Sequence, residues 1–110
     1  MTESTDPKPD PKKILSPAEI AEAGLDGWTE DGGTLTATFA TKSFATGLEL
    51  VNLIGASAED NNHHPDLVLT YPSVQVTWSS HDVGGITSRD VRLARATSGH
   101  AEALGVSADG

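Results

Sequence analysis

Residues 43–79 read SFATGLELVNLIGASAEDNNHHPDLVLTYPSVQVTWS, and the period of the pattern changes along the stretch. In the first half, Phe44, Leu48, Val51, Gly55 and Ala58 recur every three to four positions, which is the spacing of one helical face. Glu49, Asn52 and Glu59 fall on another face. Ser43 stands where an N-cap belongs. Asn61 and Asn62 tolerate the left-handed conformation through which helices end. From Leu67 onward the period drops to two. Residues 67–71 and 74–79 read as strands joined tightly at Pro72-Ser73. Val74, Val76 and Trp78 share one strand face, and Gln75, Thr77 and Ser79 share the other.

Working outward adds a hairpin upstream. Residues 28–30, a turn at Asp31-Gly32-Gly33, and residues 34–40 alternate Leu35, Ala37 and Phe39 with Thr34, Thr36 and Thr38. Before it, Ser16-Pro17-Ala18-Glu19 carries a cap, a first-turn proline and a capping-box acid. Leu15 and Ile20 are placed for a hydrophobic staple, and the short helix should stop at Gly24. Downstream, Gly84-Gly85 makes a turn. Thr87-Ser88-Arg89-Asp90 is a second capping box, opening a helix to about residue 98. The predicted order is α-β-β-α-β-β-α: a two-layer α+β domain, its four-stranded antiparallel sheet covered by helices on one face. Its open face and strand edges are free to pair between subunits.

The chain has 110 residues, 16 acidic and 7 basic, for a net charge of −9. Hydrophobic residues make up 36% and aromatics 5%, so the core must be largely aliphatic. Three of the six prolines (Pro7, Pro9, Pro11) lie in residues 1–13. There Glu3, Asp6 and Asp10 cancel Lys8, Lys12 and Lys13. That segment lacks the apolar surface to offset its ordering entropy and is expected to be disordered. Residues 14–98 make one domain, and residues 99–110, small and polar, are expected to be flexible.

The acid excess argues against nucleic-acid and anionic-lipid partners. No apolar run is long enough for a transmembrane helix, and the first 13 residues do not resemble a secretory signal. With no cysteine there is no disulfide, thiolate site or cysteine nucleophile. A cytoplasmic protein is the simplest expectation.

Three of the four histidines, His63, His64 and His81, lie within 19 positions. Imidazole can both give and take a proton near neutrality. Glu59 stands one helical turn before His63, and Asp90 opens the helix after His81. The cluster suggests acid–base chemistry without a covalent step. Other readings stay open. Ser79 and Ser80 could supply a nucleophile, although no G-x-S-x-G elbow is present. Three imidazoles could hold zinc in a metal-dependent hydrolase. Asp90 could be only a helix cap, Glu59 a solvated residue, and Trp28 and Trp78 core. Arg89, Arg92 and Arg95 read as a salt-linked helix face.

The run Glu59-Asp60-Asn61-Asn62-His63-His64-Pro65-Asp66, then Tyr71, Ser80-His81-Asp82, Gly84-Gly85 and Thr87-Ser88-Arg89-Asp90, resembles the pterin-4a-carbinolamine dehydratase family. Trp28 is similar to an aromatic near that family's first strand. The resemblance spans about residues 15–98. It implies the α+β fold already read, and dehydration of 4a-hydroxytetrahydropterin to quinonoid dihydropterin with no metal or organic cofactor. By position, His63 and His81 match the catalytic histidines. His64, Glu59, Asp90 and Trp28 match substrate-binding and supporting positions. The partners implied are a small-molecule pterin, an aromatic amino acid hydroxylase that supplies it, and further copies of the chain in a homodimer or homotetramer. Leu67 stands where the family often has Trp. A non-catalytic binding or assembly module of the same fold is the alternative.

Overall fold

The computed structural model describes residues 10–108. The expectation of disorder over residues 1–13 lies outside the described residues for residues 1–9. The elements run α1 (Pro17–Glu22), β1 (Thr29–Asp31), β2 (Thr34–Ala40), α2 (Phe44–Asn61), β3 (Asp66–Leu69), β4 (Ser73–Trp78) and α3 (Ser88–Ala103). The strands form one antiparallel sheet in the order β1-β2-β4-β3. This is the predicted α+β order.

Local chemistry accounts for the elements. Gly32 and Gly33 both have positive φ (60° and 83°), the conformation a tight two-residue hairpin turn requires. Ser16 and Glu19 cap α1 reciprocally, and Ser16 N–H and Lys13 together hold the Glu19 carboxyl below its ordinary range. Leu35 pairs with Trp78, Ala37 with Val76 and Phe39 with Val74, so β2 and β4 send these six side chains to one face. They are all buried there, against Leu50, Ile54 and Ala58 of α2 and Leu93, Ala94 and Ala101 of α3. The opposite sheet face is a threonine-rich surface, where Thr36 meets Thr77 at 3.3 Å.

Two expectations are corrected. The face of α2 turned to the sheet is Gly47, Leu50, Ile54 and Ala58. Only Ala58 of the predicted stripe is buried; Phe44 and Leu48 are 48% and 45% exposed. The cause is close approach. A Cβ on Gly47 would lie 2.7 Å from Leu69 Cδ1, so the helix rests on a glycine and turns its bulky residues aside.

The second correction concerns residues 99–110. Helix α3 continues past residue 98 to Ala103. Gly105 (φ 73°) then closes it: its N–H donates to Glu102 O, and Val106 N–H donates to Ala101 O. That pair of bonds is a Schellman cap. Beyond it, Ala40 N–H donates to Ser107 O, and Ala108 bridges Phe39. Residues 99–103 thus belong to α3, and Ser107 and Ala108 bond to β2; residues 109–110 lie outside the described residues.

Candidate active site

Helix α2 ends at Asn62, which is left-handed (φ 48°, ψ 44°). His63 N–H donates back to Ala58 O at 3.1 Å, and this turn carries its imidazole to the start of α3. There Asp90, fully buried, occupies the third helical position. Its Oδ2 accepts from Thr87 N–H at 2.9 Å and from Ser80 O–H at 2.6 Å. Its Oδ1 meets His63 Nε2 at 2.6 Å. The imidazole also stacks on Trp78, with centroids 5.8 Å apart and planes at 12°. Trp78 is itself fixed, donating its indole N–H to Thr97 Oγ1 at 3.1 Å. His63 is therefore held by carboxylate, ring stack and backbone together.

His64, by contrast, is exposed. Its Nε2 lies 2.5 Å from Glu59 Oε2, one turn back on α2. His81 is exposed in the loop after β4. Its one side-chain hydrogen bond among the described residues is with Ser79 Oγ at 3.4 Å, too long to be more than weak. Beside it, Arg89 Nη2 reaches both oxygens of Asp82, at 2.9 and 3.2 Å. This hydrogen bond, more than the guanidinium charge, holds the Asp82 carboxyl below its ordinary range.

All three histidines line a single open cleft of about 370 Å³, with Asn62, Ser79, Asp82 and Arg89 completing the wall. Glu59 and Asp90 stand behind His64 and His63 as their carboxylate partners. Trp28 is not in this cleft. Its indole N–H donates to Ser98 Oγ at 2.9 Å, and its ring packs edge-on against Phe39 at 6.0 Å. It borders a separate hollow beside α1 with Ile20, Leu25 and Leu35. Its N–H finds a partner on α3, which ties the start of β1 to the helical layer.

The basic residues of α3 have separate tasks. Arg89 joins Asp82, Arg92 reaches Asn61 Oδ1, and Arg95 donates to Ala23 O. Ser80, considered as a nucleophile, has its proton committed to Asp90. No group of three His, Asp or Glu side chains placed to hold a metal occurs among the described residues. His63 and His64 both turn Nε2 to a carboxylate. Asn62, Asp82 and Arg89 belong to the motif that carries the resemblance but are not singled out there as site residues. The adjacency of Asn62 to His63 and of Asp82 to His81 was the available signal.

Comparison with known proteins agrees with this fold. The family model for pterin 4 alpha carbinolamine dehydratase matches residues 13–99. The chain belongs to the pterin-4a-carbinolamine dehydratase family. A Thermosynechococcus vestitus relative that carries that enzyme name provisionally is 43% identical over 86 residues, 76% of this chain and 90% of its own length. A Nocardia farcinica relative, named in the same provisional way, is 38% identical over 85 residues, again 76% and 90%. A solved structure from Brucella melitensis, titled a transcriptional coactivator/pterin dehydratase, superposes with a TM-score of 0.77 at 31% identity. It covers 81% of this chain and 99% of its own.

Proposed function

We propose that this chain is a dehydratase that eliminates water from 4a-hydroxytetrahydropterin, giving quinonoid dihydropterin. The observation that carries the reading is the convergence of His63, His64 and His81 on one cleft, with a buried carboxylate behind His63. Elimination needs an acid to protonate the departing C4a hydroxyl, so that it leaves as water. It needs a base to take the proton from N5 as the C4a–N5 double bond forms. His63 and His81 share those two tasks. His64, steadied by Glu59, and Arg89 contact the bound heterocycle. Each positioned acid or base is worth about 10²–10⁴-fold. An aromatic amino acid hydroxylase is the source of substrate, and the cytoplasm is the location.

The test is stopped-flow loss of freshly generated 4a-hydroxytetrahydropterin. The wild-type chain should exceed the spontaneous rate, and His63→Ala with His81→Ala should return it to that rate with the fold intact. A wild-type rate equal to the spontaneous one overturns the reading.

The working form is a homo-oligomer. Phe44 and Leu48 lie one turn apart beside the buried face of α2 and are 48% and 45% exposed, an apolar pair left open. Adjacent exposed apolar side chains on a helix offer a surface that a second copy of the chain can cover. Replacing Phe44 and Leu48 together with Asp should reduce the mass measured by light scattering to that of one chain. An unchanged mass, or a wild-type chain already monomeric, counts against it.

A further inference from the structure

Three hydroxyl and amide donors converge behind His63, and their proton count is fixed. Ser80 has one hydroxyl proton, and it goes to Asp90 Oδ2 at 2.6 Å. The Ser80–Thr87 hydroxyl contact at 2.8 Å must therefore be donated by Thr87. Thr87 Oγ1 in turn accepts from Arg89 N–H at 3.3 Å and from Arg89 Nε–H at 3.2 Å. Every bond in the chain points the same way: from the Arg89 guanidinium through Thr87 and Ser80 to Asp90. Ser80 and Thr87 are fully buried, so water does not compete for these protons.

We propose that Ser80 and Thr87 are positioning residues for His63: their hydroxyl relay from Arg89 holds Asp90 as an acceptor and so fixes the tautomer of the histidine. With two donors on Oδ2, Asp90 presents Oδ1 as a carboxylate oxygen to His63. Nε2 must then carry the proton in the neutral ring. Nδ1, which has no protein hydrogen-bond partner among the described residues, is left as the bare nitrogen for the cleft. A hydroxyl that merely filled space could not dictate this, because a carboxyl protonated on Oδ1 would donate to Nε2 and reverse the tautomer. The relay also ties the two walls of the cleft. Asp82 and Arg89 stand at one end, and His63 stands at the other.

This inference rests on the dehydratase reading for its kinetic consequence only; the tautomer can be measured without activity. Nitrogen-15 NMR of the labelled chain, at a pH where the ring is neutral, should show His63 protonated on Nε2. Ser80→Ala should give a mixture of tautomers in a chain that melts as a folded protein. It should lower kcat about tenfold, well short of the ~10⁴-fold of a wholly misplaced tautomer in a catalytic triad, with KM within about twofold. Thr87→Val should do the same, and Thr87→Ser should restore both readouts. The double variant Ser80→Ala with Thr87→Val should be no slower than Ser80→Ala alone, because both break one chain. A wild-type His63 protonated on Nδ1, or an unchanged tautomer in Ser80→Ala, overturns the proposal. A wild-type chain without dehydratase activity removes the reading above and leaves the tautomer measurement to decide the relay.

Discussion

Two histidine–carboxylate pairs flank the cleft, adjacent in sequence and opposite in environment. His63–Asp90 is separated by 2.6 Å with side-chain exposures of 10% and 0%. His64–Glu59 is separated by 2.5 Å with exposures of 54% and 77%. Distance alone would rate them equal. Burial separates them, because water screens the outer pair and must be replaced by protein partners around the inner one. The inner carboxylate accordingly collects two further donors, Thr87 N–H and Ser80 O–H. The outer pair has no such support among the described residues. One pair is built into the fold; the other is an exposed contact at its surface.

The largest expected effect comes from breaking the inner pair. Asp90→Ala would leave three buried donors unsatisfied, on His63, Ser80 and Thr87, at about 1–3 kcal/mol each. It would also remove the carboxylate half of the capping box of α3. A loss of about 3–5 kcal/mol is expected in urea unfolding, a large share of a typical domain's stability. If Asp90→Ala costs under about 1 kcal/mol, the inner pair is no more structural than the outer one, and the contrast fails.

Glu59→Gln is the matching test of the outer pair. The side chain stays the same size and loses its charge. Unfolding should change by less than about 1 kcal/mol, as for exposed ion pairs. If Glu59 steadies His64 against substrate, KM should rise a few-fold while kcat holds. A fall in kcat with KM constant would move His64 into the proton-transfer step and make the two walls chemically alike.

The sequence made the inner pair partly legible. Thr87-Ser88-Arg89-Asp90 announces a capping box, and a capping-box acid must face its own N-cap. The Asn-Asn end of α2 and the proline after His64 fixed where the histidines leave the helix. What could not be read was the distance of approach between α2 and the sheet. Gly47 lets the helix sit against Leu69, and this rotates the buried stripe away from the larger Phe44 and Leu48. Periodicity ranks residues by hydrophobicity, whereas close packing selects for smallness. The placement of Trp28 outside the histidine cleft was hidden for a related reason. An aromatic near the first strand can serve a pocket or the core, and only the position of Ser98, 70 residues on, decides between them. The end of α3 did carry a signal, Gly105, which small polar neighbours obscured.

The smallest expected effect concerns the third charged contact of the cleft, Asp82–Arg89. It sits at the rim, with side-chain exposures of 44% and 19%. The Arg89 hydrogen bond and charge lower the folded-state affinity of Asp82 for a proton relative to the ordinary value of 3.8. A carboxyl depressed on folding contributes stability above its unfolded value and loses it as pH falls through the folded one. The contribution is therefore complete near neutrality and disappears only in acid below about 3.8. Unfolding midpoints of wild type and Asp82→Asn should differ slightly and constantly between pH 5 and 8, and converge below pH 4. Because Arg89 also donates to Thr87, Asp82→Asn should disturb the His63 tautomer less than Ser80→Ala does. A tautomer equally disturbed by both would place the rim pair in the same cooperative unit as Asp90, and would erase the distinction between inner and outer wall.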